Sequence, residues 1–306
     1  MNIVFHGVQV FMDNILKILS NWGITNATTV QQLGDAELRI VYKILTEIGT
    51  VVLKGQSTES GEEFVSGNVS AHEFLGNLHH MAPELYHLPD GGLYLKDDDS
   101  YYYLMEFVEG RQAQETADDE RLLGMACARL HQLSDYQNQS TFNAHDIIRK
   151  ARYWFSEYTW KNEFDKIVAS IPDFSQYRQC FIHTDIGPHN AIIQKGEVVF
   201  IDLDHSGLGS PYIDLGWPFI MQFVNYNKQT REMKYQFDLA TAFFQGYVSV
   251  NPLTDFEYDL LFYGATLMHI SYMKSYGKDA EQPLWDILKF GIAQKDKLYK
   301  MVYRIE

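Results

Sequence analysis

Cysteine is almost missing from this chain: Cys127 and Cys180 are the two among 306 residues, each inside an apolar run. Two cysteines make neither a disulfide framework nor a sulfur-rich zinc site, and a reducing cytosol is the compartment expected. Positive charge is also scarce, with 25 lysines and arginines against 40 aspartates and glutamates and a formal net charge of -15. Such a surface repels phosphate backbones and anionic lipid, so neither nucleic acid nor membrane is an expected partner. Long apolar runs are lacking too. No stretch reaches 18 apolar residues, and "MNIVFHGVQVFMDNILKIL" has no basic start and is interrupted by His6, Gln9 and Asp13. A soluble, cytoplasmic chain without a signal peptide is the expectation. There is no internal repeat and no low-complexity linker. No G-x-x-x-x-G-K-[ST] occurs, and "GLGSPY" lacks the third glycine of a dinucleotide loop, which removes the P-loop and Rossmann readings.

What is present is a large apolar complement: 46% hydrophobic and 14% aromatic residues, enough for two lobes with their own cores. Residues 8–22 carry apolar side chains at helical spacing, with Gly23 as a stop. "TVQQLGDAELRIVYKILTEIGTVVLKGQ" reads as two or three antiparallel strands, and "GGLYLKDDDSYYYLMEFVEG" as a hairpin whose "DDDS" turn is solvated. Between them "GNVSAHEFLGNLHHMA" reads as a helix. Past Gly110 helices dominate: one opened by Asp118 and Asp119, one over about 145–170, and three long segments over about 230–304. The fold class is therefore α+β. Residues 1–108 form a small β-rich part behind a leading helix, and residues 109–306 a larger, mostly helical part.

The helical part is interrupted by "CFIHTDIGPHNAIIQKGEVVFIDLDHSG", Cys180 to Gly207. "CFIH" is a short strand, and "TDIGPHN" a loop in which Gly187 and Pro188 block helix and strand. "AIIQ", "KG" and "EVVFID" form a hairpin ending at Asp202. Asp185 and Asn190 share the loop, and the hairpin is expected to return Asp202 beside them. Two carboxylates and an amide oxygen, with no sulfur, suit magnesium. A two-metal hydrolase built on His183, Asp185, His189, Asp202 and His205 is an alternative of another class.

H-x-D-x-x-x-x-N followed by I-D-x-D resembles the catalytic and metal-binding segments of the aminoglycoside phosphotransferase family, which includes choline-kinase-like enzymes. The resemblance implies a protein-kinase-like two-lobe fold, with a small antiparallel sheet in the N-terminal lobe. It also implies a kinase's division of labour. Asp185 would orient or deprotonate the acceptor hydroxyl and His183 would brace the loop. Asn190 and Asp202, with Asp204 as an outer candidate, would hold Mg2+. Asp214 in "SPYIDLG" would steady the loop from behind. Upstream, "TVVLKG" is similar to the strand that supplies a phosphate-binding lysine, here Lys54. "SAHEFLGNL" is similar to the helix whose glutamate, here Glu73, pairs with it. "YLMEFVEGR" resembles the hinge, with the Glu106 carbonyl and Val108 N–H as adenine partners. "LGMACARLHQL" and "FFQGYVSVNPLTDFE" extend the likeness to about residue 260. One segment departs: "GDAELR", where Gly34 would belong to the loop over the phosphates, brings in Glu37 and Leu38.

ATP or GTP and Mg2+ are thus the implied cofactors, with a small-molecule hydroxyl as acceptor and a monomer or homodimer as the assembly. The acidic composition favours a cationic acceptor such as an aminoglycoside, choline or an amino alcohol. Homoserine and sugars stay open, as does a nucleotide-binding member that transfers nothing.

Overall fold

The computed structural model describes residues 12–33, 40–140, 142, 144–275 and 278–304. The chain divides into two compact units: Met1–Gly110 with Val199–Asp204, and Arg111–Val198 with His205–Glu306. The first is the small lobe and carries the antiparallel sheet; the second is the larger, helical lobe. The division expected after residue 108 falls after Gly110, and the run through Asp202 and Asp204 groups with the small lobe.

In the small lobe, residues 12–19 form α1, closed by a 3-10 turn Ser20–Trp22 and by Gly23 at φ 76. The sheet runs β1 (Ala27–Gln32), β2 (Ile40–Thr46), β3 (Gly49–Ser57), β6 (Ser100–Glu106), β4 (Leu85–Tyr86), with β5 (Leu95–Asp97) also on β6. Side chains alternate across a strand, and both faces are covered. Val51, Leu53, Tyr102 and Leu104 pack with Ile15, Ile18 and Leu19 of α1. Val52, Tyr101, Tyr103 and Met105 pack with Val65 and Val69 of α2 (Glu62–His72). Lys54 shares the parity of Val52 and so points to the α2 face. The helix expected to run unbroken to Pro83 instead changes to a π-turn over Glu73–Leu78.

In the large lobe, α3 (Ala117–Leu130) is capped by Thr116, whose side chain accepts from Asp119 N–H. It crosses α7 (Phe237–Val250) at glycines on both helices. A Cβ on Gly124 would lie 2.0 Å from Phe243 O, and one on Gly246 2.2 Å from Arg121 O. The single helix expected over 145–170 is two, α4 (Ala144–Trp154) and α5 (Lys161–Ser170). The Phe155 and Trp160 rings meet at 5.3 Å between centroids, tilted by 53°; five residues apart on one helix they would be about 140° apart and could not meet. α6 (Pro211–Trp217) packs on α8 (Asp255–Ser275), and α9 (Lys278–Ile292) and α10 (Lys295–Tyr303) follow. Among the described residues that makes four helices from α7 onward where three were expected. Among the described residues no helix is long and apolar enough to cross a membrane.

Two small sheets frame the loop of interest. β8 (Cys180–Ile182) pairs with β11 (Gly207–Gly209). β9 (Ala191–Gln194) pairs with β7 (Arg111–Gln112) and with β10 (Glu197–Phe200). Lys195 and Gly196, at φ 53 and 85, make the tight turn between β9 and β10.

Candidate active site

In the small lobe Lys54 is 5% exposed. Its Nζ donates to Asp202 Oδ1 at 2.9 Å and to Asp204 Oδ1 at 2.6 Å. Burial works to lower its pKa, but Tyr103, Asp204 and Asp202 outweigh burial, and the ammonium is held above the usual lysine range. Asp204, 3% exposed, also accepts from Asn68 Nδ2 at 3.2 Å and from Gln56 Nε2 at 3.4 Å. The Asp202 side chain is 36% exposed, and its backbone is left-handed at φ 62, a region that Asp tolerates better than most residues.

The expected Lys54–Glu73 pair does not form. Glu73 accepts from His87 Nε2 at 2.8 Å. The α2 residue turned toward Lys54's partners is Asn68, five positions earlier and so about 140° around the helix. A sequence signal for it existed. Val65, Asn68, Val69 and His72 follow the i, i+3, i+4, i+7 stripe of a buried face, and an asparagine in that stripe needs buried partners.

In the large lobe the loop after β8 is built around two acids. Asp214, fully buried on α6, accepts from Thr184 N–H through Oδ1 at 2.6 Å and from His183 N–H through Oδ2 at 2.8 Å. Oδ2 also takes His131 Nε2 at 3.1 Å. His131 Nδ1 lies 2.9 Å from the Tyr247 hydroxyl, which accepts from Asn251 Nδ2 at 2.9 Å. One donor direction satisfies the whole chain: Asn251 to Tyr247 to His131 to Asp214. Thr184 sits at φ 74, costly for a β-branched residue, and its own N–H and that of His183 before it are fixed from behind by Asp214. His183, 1% exposed, sets Nδ1 3.4 Å from Asp185 N–H, a bracing role for the loop rather than a metal ligand's.

Asp185 itself is 34% exposed at its side chain. Asn190 gives both amide hydrogens to it, at 3.0 Å to the carbonyl and 2.9 Å to Oδ2, while His189 Nε2 donates to Oδ1 at 3.3 Å. Burial works to raise the Asp185 carboxyl, but His189, His183 and Asn190 together hold it below the usual range. It is an ionised acceptor at neutral pH. Of the hinge residues, Glu106 ends β6 with its N–H on Glu84 O at 2.9 Å, and Val108 follows half-buried. Gly34 lies outside the described residues.

Near the same loop, Glu120 is fully buried on α3. Its Oε1 accepts from Gln222 Nε2, and its Oε2 has no partner among the described residues. Burial pushes this carboxyl up to about 8 against the pull of the Gln222 bond, with Glu115 and Asp119 adding to the rise. The unfolded chain releases that proton near its ordinary value of 4.5. The folded state therefore holds more protons across the window from about 4.5 to 8, and stability falls as pH rises through it. Glu120→Gln is expected to gain on the wild type by on the order of 2–4 kcal/mol across that window. Denaturant midpoints measured from pH 5 to 9 check this, and a difference that stays flat with pH would count against it.

In the small lobe Asp202 offers a partly exposed carboxylate; in the large lobe Asn190, with its amide hydrogens on Asp185, keeps a hard amide oxygen. Each is an oxygen donor of the kind magnesium takes rather than a softer ion. The metal-capable trio that does gather among the described residues is Cys127, His131 and Asp214. Its groups are already engaged: Asp214 accepts two backbone N–H groups and His131 Nε2, and His131 Nδ1 lies against the Tyr247 hydroxyl. Nothing gathers the five residues of the hydrolase reading into such a group among the described residues.

Comparison with known proteins agrees with this architecture. The model of the phosphotransferase enzyme family (APH) matches residues 29–250, and the chain belongs to that family. Its fold is protein-kinase-like. Among solved structures it is similar to a choline kinase from Cryptosporidium parvum Iowa II, at 13% identity, 96% coverage of each chain and a TM-score of 0.61. The amicoumacin kinase hAmiN, solved with AMP-PNP, Ca2+ and Ami, is similar at 17% identity, 88% coverage of each chain and 0.61. A microcompartment-associated aminopropanol kinase is similar at 14% identity, covering 96% of this chain and 98% of its own, at 0.61. A search of curated proteins finds no match.

Proposed function

We propose that this chain transfers the γ-phosphoryl group of a nucleoside triphosphate, ATP in the first instance, to a hydroxyl of a small molecule. The observation that carries the reading is the loop holding Asp185: an ionised carboxylate, partly open to solvent, fixed by Asn190 and His189 on a backbone anchored by Asp214. A carboxylate so held accepts a hydrogen bond from the acceptor hydroxyl and aims its oxygen. Its low proton affinity suits a loose transfer, in which the hydroxyl proton leaves late and positioning matters more than base strength. Lys54, a fixed cation, is placed to neutralise phosphate oxygens. Asn190 and Asp202 are the residues that would hold Mg2+. Bound there, the ion would supply charge neutralisation to the phosphates. Glu106 and Val108 are the proposed adenine contacts. The acceptor class fits the acidic composition best if it carries a cation. The names of two similar structures, a choline kinase and an aminopropanol kinase, support an amino alcohol among the first compounds to try.

Mg-ATP is expected to raise the melting temperature of the wild-type chain, since a ligand bound only by the folded state adds stability. At about a hundred times its Kd the gain is about 2.7 kcal/mol. Asp202→Asn should reduce the shift sharply. An unshifted wild type at millimolar Mg-ATP would overturn the proposal.

A further inference from the structure

Asp204 stands two residues beyond Asp202, yet the two carboxylates are in different situations. Asp202 is 36% exposed at its side chain, with Lys54 on one oxygen. Asp204 is 3% exposed, and three side chains already donate to it: Lys54 and Asn68 on Oδ1, Gln56 on Oδ2. A carboxylate has about four lone-pair positions, so little acceptor capacity is left, and the ammonium 2.6 Å from Oδ1 occupies the place a second cation would need. Gln56 and Lys54 come from one strand face, two residues apart, and Asn68 comes from α2. The helix therefore meets the lysine's partner with a neutral amide. A carboxylate in place of that amide, which now donates to Asp204 Oδ1 at 3.2 Å, would set two negative charges against each other.

We propose that Asp204, braced by Asn68 and Gln56, is the positioning residue for Lys54 in place of a helix glutamate, and that Asp202 alone of the two is the metal-directed carboxylate. In this arrangement the charge that fixes the lysine comes from the segment after β10. α2 contributes one hydrogen bond to it, so the lysine keeps its ion pair whatever happens to the charges on the helix. The inference rests on the phosphotransferase reading for the metal, but not for the anchor.

The test uses the full chain as wild type, Asp204→Asn, Asp202→Asn and the exchange Asn68→Asp/Asp204→Asn, which keeps one carboxylate and one amide in nearly the same volume. Ligand-free melting judges the anchor. Asp204→Asn should melt about 5–10 °C lower, because a buried cation loses its closest partner, and the exchange should recover at least about half of that loss. If Asp204→Asn does not fold, recovery of a folded chain by the exchange still supports the anchor. The Mg2+ dependence of the ATP-induced melting shift judges the metal. Asp202→Asn should need at least about tenfold more Mg2+, and Asp204→Asn no more than about twofold. An exchange that recovers nothing, or an Asp204→Asn that needs as much extra Mg2+ as Asp202→Asn, overturns the proposal. A wild type without any ATP shift would sink the phosphotransferase reading, while the ligand-free melts would still decide the anchor.

Discussion

Asp214→Ala is expected to leave the large lobe barely folded and without transfer activity. The substitution strands three buried donors at once: the N–H groups of His183 and Thr184 and the Nε2–H of His131. Each orphaned buried group costs about 1–3 kcal/mol, and those bonded to a carboxylate lie at the upper end. The total approaches the whole stability of a typical domain, about 5–15 kcal/mol. Thr184 at φ 74 adds strain that Asp214 now holds in place. Asp214→Asn is the milder probe. It can accept at one atom, but its amide group would face a peptide N–H or His131 Nε2, donor against donor. It should melt below the wild type and lose transfer rate more than it loses nucleotide affinity. Circular dichroism melts with nucleotide titration check both variants, and an Asp214→Ala that melts within a few degrees of the wild type would contradict the cradle.

Asp185→Asn is expected to lower the transfer rate by about 10²–10⁴ with little change in melting temperature. The side chain is one third exposed, and the amide keeps the volume and one acceptor oxygen. What is lost is the negative charge that draws the acceptor hydroxyl. Because His189, His183 and Asn190 hold the Asp185 carboxyl below its usual range despite burial, it stays ionised through neutral pH. Asp185 should therefore put no inflection in the pH–rate profile between 5 and 9. The variant should bind Mg-ATP as the wild type does. An Asp185→Asn enzyme that retained transfer within about threefold would remove Asp185 from the reaction.

The strands β3 and β6 were visible in the sequence as β-rich apolar runs, and the structure buries both almost throughout; the face that Lys54 takes follows from strand alternation only once the two covered faces are known. The loop of Asp185 and Asn190 was bounded by Gly187 and Pro188 and by the Lys195–Gly196 turn, all local signals. Side-chain partners were legible only where the helix phase was known. The helix after β3 was visible, but not which side met the sheet, and the π-turn at Glu73 obscured the phase further. Without that phase, no local signal singles out Asn68 over Glu73 as the helix residue that meets Asp204. Asp204 depends on a contact with Lys54 across 150 residues and on the left-handed turn at Asp202; neither has a local signature. The break between α4 and α5 came from packing, since Phe155 and Trp160 close on Phe164 and Trp285, and helix-compatible residues between them hid it. The cradle residue Asp214 was reached through resemblance. Its partner His131 carried no signal beyond being a histidine on an apolar helix face, where a satisfied core histidine is the ordinary outcome.

The account stands most directly on one measurement: incubation of the wild-type chain with Mg-ATP and a panel of hydroxyl compounds weighted toward amino alcohols and aminoglycosides, read by mass spectrometry. The prediction is a product heavier than its acceptor by one phosphoryl group, formed with matching ADP, dependent on Mg2+ and absent with Asp185→Asn. A panel in which no acceptor gains that mass while the chain demonstrably binds Mg-ATP, or a product that forms equally well with Asp185→Asn, would contradict it.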